Sequence, residues 1–61
     1  MDADSLRHSF FGCVQSGDLA TAEEIAGTIV EILRLRRDLG EDVTVPLARW
    51  QSRQTLLHLI H

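Results

Sequence analysis

Thr21 to Leu39 reads TAEEIAGTIVEILRLRRDL, and the placing of its apolar residues decides the fold class. At about 100° per residue, Ala22, Ile25, Ala26, Ile29, Val30, Ile32 and Leu33 fall on one half of a helix. Glu23, Glu24, Thr28, Glu31, Arg34 and Asp38 fall on the other. A surface helix needs an apolar stripe about 100° wide, and this arc spans roughly 180°. Such a helix packs against several elements or against another chain, so association is the first expectation. Gly27 lies among the charged residues, either exposed or at a close helix crossing. Arg36 falls near the centre of the apolar arc, where its stem can snorkel at the helix end or its guanidinium can meet a partner's acid.

Working outward, glycine and proline divide the chain into three segments. Leu6, Phe10, Cys13 and Val14 recur at helical spacing, which predicts a helix over Ser5 to Gln15 with Asp4 or Ser5 as its cap. Gly17 suits the left-handed position after that helix, and Asp18 or Thr21 can cap the next. The short connection predicts an antiparallel hairpin with Phe10 and Val14 against Ile25 and Ile29. Gly40 ends the second helix, and Glu41 to Val45 reads as an extended connector. One short strand there would have no partner, because nothing else alternates with period two. Thr44, Val45 and Pro46 read as the start of a third helix, since proline is accepted in a first turn. Leu47 and Trp50 face one way, and Gln51 to Gln54 is polar throughout. The spacing therefore allows one helix across Pro46 to Ile60, or a break near Ser52 with Thr55 as a new cap, and one bent or interrupted helix is the favoured reading. Leu56, Leu57, Leu59 and Ile60 nearly encircle this last segment, a second pointer to a partner.

The expected fold is all-α: one domain over residues 1–61, with about three helices, a helical hairpin plus a C-terminal helix. A chain of 61 residues buries only about 60% of the surface that it exposes when unfolded. Small domains gain stability from disulfides, metals or oligomerisation, and lone Cys13 excludes an internal disulfide. Oligomerisation is the route left. A net charge of -3 offers no general attraction to nucleic acid or an anionic membrane. Met1 is followed by Asp2 and Asp4 where a secretory signal carries positive charge, and no apolar run approaches the ~18 residues of a membrane span. The expectation is a cytoplasmic protein with a protein partner or itself as partner, and with neither membrane nor nucleic acid.

No constellation points to a reaction or a cofactor. His58 and His61 are three residues apart and could share an ion with His8 or Cys13, but no Cys-x-x-Cys pair supports a metal site. His8 and Cys13 point to different sides of their helix, so no catalytic dyad arises. Adjacent Glu23 and Glu24 read as a solvated helix face, and Gly12 and Gly17 lack the rest of a nucleotide-binding loop. The expectation is no enzyme, no cofactor and no metal. Thr21 to Ala26 resembles the first helix of a helix-turn-helix, but the pattern continues as helix where the turn belongs. A small helical DNA-binding regulator is kept as an alternative.

Val14 to Ile25, VQSGDLATAEEI, resembles the helix-turn-helix of an ankyrin repeat, with its glycine between two short helices. Gly40 to Thr44 and Gln54 to Leu59, QTLLHL, are similar to that repeat's finger and its Thr-Pro-Leu-His opening, with Leu56 in place of the proline. This resemblance implies a protein-binding module. Arg36 to Gly40, Val45 to Leu47 and Thr55 to Leu59 resemble the tail of carrier domains in peptide and polyketide synthases. That resemblance implies a degenerate acyl or peptidyl carrier, whose phosphopantetheine arm would need a serine; Ser5, within Asp4-Ser5-Leu6, lies far upstream of the expected place. The leading expectation is a non-catalytic interaction or oligomerisation module that uses the apolar face of helix 21–39 and the C-terminal helix. Ile25, Ile29, Ile32, Leu33, Arg36, Trp50, Leu57 and Ile60 are its candidate interface residues, to be divided between core and interface.

Overall fold

Two glycines with positive φ cut the chain into helices. Gly17 has φ +83° and Gly40 φ +97°, the left-handed region that a Cβ disfavours. At the first, Gly17 N–H donates to the Val14 carbonyl and Asp18 N–H to that of Cys13, at 3.1 and 2.9 Å. At the second, Gly40 N–H donates to Arg37 and Glu41 N–H to Arg36, both at 3.0 Å. Each pair is a Schellman closure, which satisfies carbonyls that a helix end leaves open. The Asp18 carboxylate then accepts from Thr21 N–H at 3.3 Å and caps the next helix. One dipeptide therefore ends one helix and starts another.

The computed structural model describes residues 3–60. They form α1 (Ala3–Ser16), α2 (Leu19–Asp38) and α3 (Thr44–Ile60), with no strand among the described residues. The all-α, three-helix reading holds. Each helix starts two residues before its expected position, and at α2 and α3 the reason is a capping side chain that acts earlier in the chain. With Asp18 as cap, Thr21 is already in the first turn, and Asp42 accepts from Thr44 N–H at 3.4 Å so that Pro46 falls inside α3. The third segment is one unbroken helix. Thr55 does not cap a new one; its hydroxyl donates to the Gln51 carbonyl at 3.0 Å. Gln51, Arg53 and Gln54 are half-buried, so this polar run lies against the rest of the molecule.

The wide apolar arc of α2 is explained by its place in the middle: both α1 and α3 pack on α2, while the backbones of α1 and α3 stay apart. Ala22, Ala26, Ile29, Val30 and Leu33 are buried, together with Phe10 from α1, Val43 from the connector, and Leu47, Trp50 and Leu57 from α3. Ala22 and Ala26 have no exposed surface, and such small residues let neighbouring backbones come close. Gly27 belongs to the α2/α3 crossing, since a Cβ there would lie 3.1 Å from Gln54 Nε2. Near one end of that crossing His58 Nδ1 lies 2.9 Å from Glu23 Oε1, which pairs the start of α2 with the end of α3. The two helices are antiparallel. The Cα envelope measures 35 × 23 × 14 Å, long and thin.

Candidate functional site

Because the two short connections each reverse the chain, α1 and α3 run in the same direction along the two sides of α2. Their facing walls have a common order. On α1, Arg7, Phe11 and Val14 follow one another at i, i+4 and i+7; on α3, Arg49, Arg53, Leu56 and Ile60 follow at i, i+4, i+7 and i+11. Both walls therefore pass from guanidinium to hydrocarbon in the same sense. Between them lies a groove floored by Phe10, Trp50 and Leu57.

All three aromatic residues of the chain meet in this groove. Phe10 stands edge-on to Trp50, with ring centroids 4.9 Å apart and an interplanar angle of 79°, and edge-on to Phe11 at 5.1 Å. Phe11 lies 6.3 Å from Trp50. Edge-to-face pairs are worth about 0.5–1.5 kcal/mol each beyond their buried area. The guanidinium of Arg53 sits 4.6 Å from the Trp50 centroid and 5.5 Å from that of Phe11. Two ring faces thus hold one cation at the groove floor.

The cationic end is a cavity of about 360 Å³ lined by Arg7, Arg49 and Arg53 with Phe11, Trp50, Val45 and Pro46. Next to it lies an apolar cavity of about 220 Å³ bounded by Phe10, Phe11, Val14, Leu56 and Leu57 and by the stem of Arg53. Phe11 is 44% exposed, Val14 39%, Leu56 60% and Ile60 64%. These are large apolar side chains beside a groove that is already hydrophobic. Charge is segregated to match: the last acid of the chain is Asp42, so α3 carries Arg49 and Arg53 and no carboxylate. The acids nearest this end in sequence are Asp4, whose Oδ1 accepts from Arg7 at 3.1 Å, and Asp42, whose carboxylate accepts from Thr44 N–H at the start of α3.

The candidate interface residues separate into three groups. Ile29, Leu33, Trp50 and Leu57 are buried in the core of the single chain, and Ile25 and Ile32 are half-buried at its margin. Arg36 is exposed in the last turn of α2, where its carbonyl closes the helix, and Ile60 is exposed in the last turn of α3. The apolar face of α2 thus lies within the fold. Val14, expected against Ile25 and Ile29, instead turns toward the open α3 side because α1 meets α2 through Leu6, Phe10 and Cys13. Phe11, Arg7, Arg49 and Arg53 were not singled out from the sequence. Two signals point to them: adjacent phenylalanines are about 100° apart on a helix and cannot share one face, and two arginines at i, i+4 stand in an acid-free stretch.

Among the described residues no group of three or more His, Cys, Asp or Glu side chains is placed to hold a metal ion. His58 faces Glu23, with Gln54 and Thr55 beside it, and His61 lies outside the described residues. No helix of the described residues is long and apolar enough to cross a membrane. Comparison with protein-family models, curated proteins and solved structures finds no match.

Proposed function

We propose that this chain is a non-catalytic protein-interaction module whose docking surface is the groove between α1 and α3. The observation that carries this reading is that Phe11, Val14 and Leu56 stay exposed around an apolar cavity that opens onto the buried aromatic core, with exposed Ile60 one turn beyond Leu56. Burying these four against a partner removes several large apolar side chains from water, each worth about 1.5–3 kcal/mol if fully covered. Helix-in-groove recognition has this geometry: two parallel walls and apolar pockets at helical spacing. On this proposal the C-terminal helix contributes exposed Leu56 and Ile60, while Trp50 and Leu57 belong to the core.

A photo-cross-linking residue placed at position 56, and separately at the exposed off-groove position 35, tests the reading in the cells that make the protein. Leu35 is 63% exposed, so both probes are accessible. The expected result is a discrete protein adduct from position 56 and none from position 35. Equal adducts from both, or none from either, would overturn it.

A further inference from the structure

The groove is not uniform, and its polarity describes its occupant. Taking the docking groove as the interaction surface, we infer that it binds an amphipathic helix of a different protein, about three turns long, with carboxylates at one end and large apolar residues along the rest. The α3 residues that line the two cavities run from Val45 to Leu57, about 18 Å of helix, which sets that length. Three guanidinium groups line one end of the groove, and Arg53 among them is already oriented over Trp50. A preorganised, planar guanidinium at a partly buried site is suited to bidentate pairing with a carboxylate. Asp4 Oδ1 accepts from Arg7, and α3 supplies no acid of its own to Arg49 or Arg53. The apolar half takes the partner's aliphatic side chains between Val14 and Leu56.

A second copy of this chain does not match the same surface. A two-fold axis along the groove would exchange its walls and set Arg49 and Arg53 of one chain on Arg7 of the other, and an axis across it would set them on the apolar end at Leu56. Either arrangement leaves guanidinium groups desolvated against like charge or hydrocarbon. The carboxylates on the outer face of α2, Glu24 and Glu31, are interspersed with Arg34, so that face does not supply the missing acidic strip.

The test uses the full chain and three synthetic helical peptides, labelled for fluorescence anisotropy. They share one apolar stripe and differ only in bearing two Glu, two Gln or two Lys at one end. The expected order is Glu over Gln over Lys, with affinity for the Glu peptide falling as salt rises. Arg49→Gln, which alters an exposed side chain, is expected to weaken the Glu peptide roughly tenfold, to bring it level with the Gln peptide, and to leave helicity unchanged. Leu56→Gln should weaken all three alike. Equal binding of all three peptides would overturn the acidic partner while leaving the docking groove standing. Failure of every peptide, with a dimer that Leu56→Gln dissolves, would replace the foreign helix by a second copy. Failure of every peptide by a monomer would overturn the inference and the groove together. Salt-sensitive retention of a nucleic-acid duplex that Arg49→Gln abolishes, with no peptide bound, would overturn both in favour of a nucleic-acid interface.

Discussion

The α2/α3 side of the molecule is closed and the α1/α3 side is open, although both are lined with apolar residues. On the closed side α2 presents Gly27 to Gln54 of α3, and Ala22 and Ala26 are fully buried in the core beside it, so neighbouring helices can settle against the α2 backbone. On the open side Phe10, Phe11, Trp50 and Arg53 project from both walls, and α1 and α3 meet through rings and a guanidinium rather than through close backbones. Side-chain size, more than hydrophobicity, separates a core from a groove here. Small residues let helices close, and large ones prop them apart while leaving pockets between.

The comparison breaks most completely at Trp50, which belongs to both sides. Trp50→Ala removes a buried ring from the core and the floor from the groove, and is expected to cost about 3–5 kcal/mol. A chain of this size has a margin of that order, so the variant should lose its cooperative unfolding transition in circular dichroism. Ala26→Leu tests the closed core by forcing a large side chain into a fully buried position. Overpacking of this kind costs about 1–3 kcal/mol, and a lowered urea midpoint with an unchanged slope is the expected sign. Were the α2 arc open to solvent, the same change would be nearly silent.

Gly40→Ala probes the hinge that sends α3 back along α2. Its φ of +97° disfavours a Cβ, and a loss of roughly 1 kcal/mol is expected from denaturant titration. Gly27→Ala sharpens the comparison from the other direction. Alanine gains up to about 1 kcal/mol of helix propensity, and the atom its Cβ approaches at 3.1 Å is the end of the flexible Gln54 side chain, which can swing aside. The net effect should be stabilising, by less than that limit, and a destabilised variant would mean that Gln54 is held in place. Leu56→Gln, on the open side, should change stability by no more than about 0.5 kcal/mol while removing peptide binding.

The three helices were legible in the sequence because their signals are local: 3.6-residue periodicity, two glycine stops and acidic caps. The starts lay two residues early because several residues could cap, and which one does depends on backbone conformation that letters do not encode. The wide arc of α2 was read correctly as a need for cover from more than one element or chain. Periodicity could not say which, since Ile29 and Leu33 look the same facing α3 or facing a partner. The unbroken course of α3 through Gln51 to Gln54 was also hidden, because a polar run under half-burial reads like a surface loop. The groove was the least visible part. It arises from two walls 35 or more residues apart in sequence, and only the parallel course of α1 and α3 brings Arg7 level with Arg49.

The most direct test of the fold's central feature is molar mass by light scattering across a dilution series, with helical circular dichroism followed over the same range. If α1 and α3 together cover the apolar arc of α2, the mass of one chain and a constant helicity should persist to the lowest concentration. A mass of two or more chains, with helicity lost on dilution, would place the α2 face at an interface between copies and contradict the covered core.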